Sequence, residues 1–204
     1  MGEQASRVAL TRERIIDTGL EMAAQGPIAQ ISMHKLAARL SVTPMAIYKH
    51  FANKAELQAY LLDGFIAHAV VIPDAGLDWP VYLEQLARNM YQALSAQPDW
   101  AELFGHVRML PGLQAVMESC VAKLLSAGFD ADRALPVYYG LTQCVLGAVT
   151  QNRHLQAQSG KTSSQAVSEQ TYPLLAQLLP GVGKSVYRDP LSCCLIPFID
   201  GLRR

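Results

Sequence analysis

Apolar positions in the first third of the chain recur at helical steps and are cut at short intervals by capping residues. Ile15, Ile16, Gly19, Leu20 and Ala23 form one face of a helix that Thr11 opens, with Glu13 in its first turn, and that Gly26 and Pro27 stop. Ser32 caps a second helix of about two turns, whose Met33, Leu36, Ala37 and Leu40 share an apolar face. Thr43 and Pro44 start a third, with proline at the first helical position, where a missing N–H costs nothing. Ile47 and Phe51 lie four apart and face inward, leaving Met45, Ala46, Tyr48 and Lys49 on the other faces. Asn53 and Glu56 then spell a capping box: asparagine accepts from the fourth residue's N–H, glutamate reaches back, and a helix runs over 53–71.

The rest of the chain reads as further helices. The stretch Pro73-Asp74-Ala75-Gly76 marks a change of domain, and capped starts recur at Asp78 before Trp79-Pro80, at Pro98-Asp99, at Pro111 and at Asp130, with Gly128 as a stop. Residues 156–170 form a polar connection, and Asp189-Pro190 opens a final helix that Pro197 should kink. No segment sustains strand alternation. The expected fold is all-α, with a three-helix helix-turn-helix domain at 1–58 and a larger helical effector-binding and dimerisation domain at 59–204. Two helices are too apolar for one surface: 134–150, with Gly140, Gly147 and Ala148, and 190–203, with Leu191, Cys194, Leu195, Phe198 and Leu202. Both are assigned to a homodimer interface, with an internal core helix as the competing reading.

Two short helices at this separation suit a helix-turn-helix whose second helix enters a DNA major groove about 12 Å wide. The outward chemistry favours DNA over idle packing. Tyr48, Lys49, His50 and Lys54 accompany Ser32 and Thr43 at two helix N-termini, where N–H groups and hydroxyls suit phosphate oxygens, and Met45 and Ala46 can meet thymine methyls. Arg12 and Arg14 can reach a minor groove or phosphate; Arg7 reads as a flexible tail.

Net charge is zero, but residues 1–58 hold seven Lys and Arg against five Asp and Glu, 7 − 5 = +2, leaving −2 elsewhere. That asymmetry predicts modest non-specific affinity and a need for dimer geometry. At 204 residues and 50% hydrophobic, the chain can bury a small head plus a larger body. Neither a membrane-length apolar run nor a signal peptide is legible, so a cytoplasmic protein is expected. Cys120, Cys144, Cys193 and Cys194 lack metal-ligand spacing and read as reduced and packed, with Cys193 and Cys194 a minor redox candidate. There is no Ser-His-Asp grouping and no phosphate loop, so no catalytic residue, cofactor or metal is assigned and an enzyme is not expected.

The segments LTRERIIDTGLEMAAQG and ISMHKLAARLSVTPMAIYKHFANKAEL, within 10–57, are similar to the N-terminal domain of the tetracycline-repressor (TetR) family of bacterial transcriptional regulators, including its Y-x-H-x-x-x-K run at Tyr48, His50 and Lys54. Ser41 departs from the family's usual glycine, and Lys49 from a position often aromatic. More weakly, WPVYLEQLARNMYQAL, RMLPGLQAVMESCVAKLLSAGF and FIDGLRR resemble the C-terminal domain of the tetracycline-repressor subgroup. The resemblance implies a double-stranded DNA operator read by a homodimer and released by a small-molecule effector. The subgroup's drug-holding and magnesium-holding positions fall on Val70, Leu86 and Phe104, all apolar, which argues against a tetracycline sensor. His68 and His106 leave a shifted metal site as a remote alternative.

An apolar pocket lined by Val70, Leu86, Met90, Phe104, Met109, Met117 and Tyr138 is expected instead, with His106, Arg108, Gln143 or Asn89 orienting a lipophilic ligand; plain core filling is the competing reading for each residue. The function expected is a repressor freed from a palindromic operator by such a ligand. A DNA-binding regulator with no small-molecule effector is the alternative.

Overall fold

Capping residues and apolar stripes build the helices of the head where the sequence puts them. The computed structural model describes residues 9–104, 110–158, 168–178 and 189–203. Helix α1 (Arg12–Gln25) opens at Thr11, whose hydroxyl accepts from the Arg14 N–H at 3.2 Å. A 3-10 turn at Ile28–Gln30 turns Ile28 and Ile31 inward. Helix α2 (Met33–Leu40) is capped by Ser32, and α3 (Pro44–Tyr48) by Thr43. Helix α4 (Lys54–Ala69) starts with the Glu56 N–H donating to Asn53 Oδ1 at 2.9 Å.

Contacts divide the chain into two compact units. The first holds the described residues up to His68 and those of Glu102–Gln114. Ile15, Leu36, Ile47, Phe51, Leu57, Leu61 and Leu62 form its solvent-free core. Glycines bring α1 and α4 close: Gly19 lies against Leu61, and Gly64 against Ile16 and Leu20. The same unit includes the first turn of α6 (Pro111–Ser126), where Asp63 of α4 accepts from the Leu113 N–H at 2.9 Å and so caps a helix other than its own.

The second unit contains α5 (Trp79–Ala96), the rest of α6, α7 (Ala131–Gln158), a short helix α8 over 173–178, and α9 (Pro190–Leu202). Helix α5 buries Tyr82, Leu83, Leu86, Ala87, Met90 and Leu94 and packs on α7 and α9. Gly128, at φ +89°, ends α6: its N–H bonds the Leu125 carbonyl and that of Phe129 the Leu124 carbonyl. Lys123 ties α6 to the carbonyls of Ala75 and Leu77, while Arg88 joins Glu84, Asp189 and Ser192, pinning the start of α9 to α5. Among the described residues there is no strand, and no helix is long and apolar enough to cross a membrane.

Several local expectations are corrected. Asp78 makes no side-chain cap, because Pro80 removes one of the two N–H groups a capping oxygen reaches. Residues 98–103 form a 3-10 helix. Glu56 reaches the Ala52 N–H at 2.6 Å, one residue before the box position, its other oxygen being held by Arg12. Of the expected polar connection, 156–158 belong to α7 and 159–167 lie outside the described residues. Leu191 and Leu195 are buried within their own chain, and Gly140 gives room to the Phe198 ring, 2.7 Å from where a Cβ would stand. Part of the apolar surface assigned to dimerisation is therefore internal packing between α7 and α9.

Candidate nucleic-acid interface

The junction between α2 and α3 sets how the second helix is presented. Ser41 adopts a left-handed conformation, φ 55° and ψ 41°; its N–H bonds the Ala38 carbonyl and the Val42 N–H bonds the Ala37 carbonyl. This double closure is the pattern glycine favours at a helix end, and a side chain there costs about 1–2 kcal/mol. Two residues later Thr43 caps α3, whose proline at the first position satisfies the geometry without needing a donor.

The turn leaves Ile47 fully buried and turns the rest of α3 outward. Met45 is 70% exposed and Tyr48 44%; Thr43 and Lys49 are also exposed, with Ala46 and His50 half-buried. Lys54 is exposed, and its ammonium donates to the Ala29 carbonyl at 3.1 Å, which leaves further N–H donors for an anion. Half-buried Ser32 stands at the start of α2, which packs against α3. His34, Lys35 and Arg39 occupy the exposed face of α2, and Lys35 and Arg39 add positive charge there. They were absent from the sequence-derived set, though their positions out of phase with Met33, Leu36 and Ala37 marked them as outward.

Arg12 departs from expectation. Rather than extending toward a groove, its guanidinium donates to the His50 carbonyl, pairs with Glu56 at 3.3 Å, and lies over the rings of Phe51 and Tyr60 at 4.9 and 4.5 Å. Arg7 lies outside the described residues.

In the second unit, Val70, Leu86, Met90 and Tyr138 are buried and Met117 half-buried; Phe104, which belongs to the first unit, is half-buried. Burial pushes the Tyr138 hydroxyl above its ordinary pKa, with a hydrogen bond to Thr142 opposing. Two expected polar groups are placed differently: Gln143 is exposed on α7, and Asn89 donates to the Val71 carbonyl at 2.6 Å. His106, Arg108 and Met109 lie outside the described residues. The side chains of Val70, Leu86 and Phe104 offer no oxygen or nitrogen atom, so they do not fit as ligands of a magnesium-bound drug. His68 Nδ1 donates to the Gly64 carbonyl of its own helix. Among the described residues, no three His, Cys, Asp or Glu side chains form a group able to hold a metal. A cavity of about 160 Å³ lies in the head, lined by Met22, Gln25, Gly26, Pro27, Gln30, Ile31 and Lys35. That is below the roughly 300 Å³ at which small-molecule pockets begin.

Two short capped helices, a tight left-handed turn and an outward face of hydroxyl, aromatic and basic side chains define a helix-turn-helix DNA-binding protein with a second helical unit. Comparison with known proteins makes the class specific. The family model described as "Bacterial regulatory proteins, tetR family" matches residues 15–61, and "Tetracyclin repressor-like, C-terminal domain" matches residues 72–203. The chain belongs to the TetR family of bacterial transcriptional regulators. It is 28% identical over 195 residues to the class A tetracycline repressor protein from transposon 1721 of Escherichia coli, covering 93% of this chain and 89% of that one. A solved structure of a possible TetR-family regulator from Streptomyces coelicolor A3(2) matches with a TM-score of 0.75 at 26% identity, covering 95% of this chain and 98% of that one. The TetR-family protein ActR of Streptomyces coelicolor, in complex with (S)-DNPA, has the same fold, with a TM-score of 0.81 at 22% identity over 96% and 98% of the two chains.

Proposed function

We propose that this regulator is a repressor that binds a palindromic DNA operator as a homodimer and leaves it when a small, largely apolar ligand enters the helical body. The observation that carries the reading is the presentation of α3: Ile47 and Phe51 anchor it, and Met45, Ala46, Tyr48 and Lys49 stand outward together. In this reading Ser32, Thr43, His50 and Lys54 bind phosphate oxygens, while Met45 and Ala46 read base edges. The reading domain spans 1–58 and the effector domain 59–204, so α4 belongs to both. One short helix reads too few bases for specificity, and a twofold pair reads half-sites about 34 Å apart. The exposed Leu135 and Tyr139 of α7 and Ile196 of α9 support a partner on the outer face of those helices. Such a regulator works in the cytoplasm.

The apolar character of the ligand is supported by Val70, Leu86 and Phe104, which stand at the positions where a magnesium–drug complex would need polar side chains, and by the buried Met90 and Tyr138. Tetracycline repressors are relatives of this chain, but their drug is not its effector in this reading. Entry of a ligand displaces α4 and with it the spacing of the two heads; coupling of about 1–3 kcal/mol is enough for release. The test is a footprint of the purified full chain on the promoter fragment before its own gene, with and without a panel of lipophilic compounds. A twofold-symmetric protected site that one compound abolishes is the expected result. Calorimetric binding of a compound with an unchanged footprint would remove the coupling, and equal competition by every DNA sequence would remove operator recognition.

A further inference from the structure

Helix α3 is too short to orient itself. It has five residues, of which Ile47 alone is buried, and a helix of that length has no stability of its own in water. The Ser41 turn and the Thr43 cap hold its first end. Its last end is held from outside. Arg12, the first residue of α1, donates to the carbonyl of His50, two residues beyond α3, and in the same pose pairs with Glu56 in the first turn of α4. Its guanidinium covers Phe51 and Tyr60, whose rings meet edge to face at 5.6 Å. Glu56 passes the constraint on, accepting from the Ala52 N–H and donating its own N–H to Asn53. One planar cation thus joins α1, the exit of α3 and the entry of α4, and it places positive charge where a helix exposes its carbonyls.

We propose that Arg12 is a positioning residue for DNA recognition, which sets the angle at which α3 offers Met45, Ala46, Tyr48 and Lys49 and does not itself contact DNA. The proposal rests on the DNA-binding reading above. It separates two quantities that a phosphate-binding arginine would move together. Losing a phosphate contact weakens all sequences alike and flattens the salt dependence by about one unit. Losing the alignment of α3 lowers discrimination between sequences and leaves the electrostatic affinity as it was.

The experiment uses the full-length protein to enrich a duplex from a randomised pool. That duplex and a scrambled one of equal length and composition are then titrated over a range of salt with wild type, Arg12→Met, Arg12→Lys and Glu56→Gln, with thermal midpoints recorded for each. The affinity ratio of selected to scrambled duplex should fall by about tenfold or more in both Arg12 variants, the loss expected for roughly one base contact. Lysine keeps the charge but not the fork that reaches His50 and Glu56 at once, so it should not rescue. Glu56→Gln should shift the ratio in the same direction by less. The scrambled duplex should keep its wild-type affinity and salt slope throughout. A slope shallower by about one unit, with both duplexes weakened alike, would overturn the proposal in favour of a phosphate contact. Full rescue by lysine, or unchanged discrimination in variants with lowered midpoints, would overturn it in favour of charge alone or bracing alone. A wild type that enriches no sequence would overturn the DNA-binding reading and this proposal together, whereas a loss confined to the variants leaves that reading standing.

Discussion

At the scale of single residues, backbone strain at Ser41 is the clearest cost. Its φ of 55° is tolerated because two N–H groups close onto Ala37 and Ala38, but a Cβ in this region opposes them. Ser41→Gly should raise the stability of the head by about 1 kcal/mol, read as a higher urea midpoint, after allowing for the greater freedom of glycine in the unfolded chain. A lower midpoint would mean that the serine hydroxyl contributes more than the strain removes. Lys54 has a different signature: as the phosphate contact proposed above, Lys54→Ala should weaken every duplex about equally and flatten the salt slope by about one unit. A changed sequence preference would contradict that assignment. Among the thiols, Cys120 is buried and its pKa is pushed up to about 12, and burial together with the neighbouring Cys194 thiol pushes Cys144 up to about 11. Thiols in that state do not become nucleophilic near neutrality, so iodoacetamide at pH 8 should modify Cys120 only when urea unfolds the chain. Alkylation at the same rate in folded protein would show that its pocket opens.

At the scale of elements, what was legible in the sequence is local. Thr11, Ser32, Thr43, Asn53 and Asp189 each cap a helix starting at the next residue, and their oxygens find N–H groups three residues on. The inward pair Ile47 and Phe51 was readable for the same reason, since one helical turn separates them. The Asp63 cap on α6 and the Arg12 cluster were not readable. They join residues 50 and 38 positions apart, and no spacing rule reaches that far. The exposure of Gln143 on α7 and the bond from Asn89 on α5 to the Val71 carbonyl were not readable either, because rotation about a helix axis and contacts distant in sequence decide them. Gly112 offers a sharp test of the Asp63 joint. A Cβ there would stand 2.6 Å from the Asp63 carbonyl oxygen, which is backbone and cannot rotate away. Gly112→Ala should therefore cost about 1–3 kcal/mol despite alanine's better helix propensity. Gly19→Ala, which meets only the mobile tip of Leu61, should cost clearly less. Equal midpoints for the two variants would mean that the start of α6 shifts freely over α4.

At the scale of the whole molecule, zero net charge leaves little non-specific attraction to DNA, and the proposed homodimer would gain its affinity for a specific site by linking two heads. In the proposed homodimer, helices α7 and α9 would do this. Leu141, Val145, Ala148, Leu191 and Leu195 are spent on the chain's own core, but Leu135 and Tyr139, one turn apart on α7, and Ile196 on α9 remain exposed. Large exposed apolar side chains on two packed helices suit a self-complementary twofold contact. Placing a carboxylate at two of them, as Tyr139→Glu with Ile196→Glu, would bury like charges against their symmetry mates and should convert the dimer to monomer in sedimentation at micromolar concentration. The helices should keep their far-ultraviolet signal, since neither side chain is buried in its own chain. Affinity for a selected twofold duplex should fall by about 10² or more, the usual gain from making the second half-site contact intramolecular, while affinity for an isolated half-site should not change. A variant that remains dimeric would move the interface elsewhere. A monomer that still binds the full duplex with wild-type affinity would show that one head, set by α1, α3 and α4 alone, reads the operator without a partner.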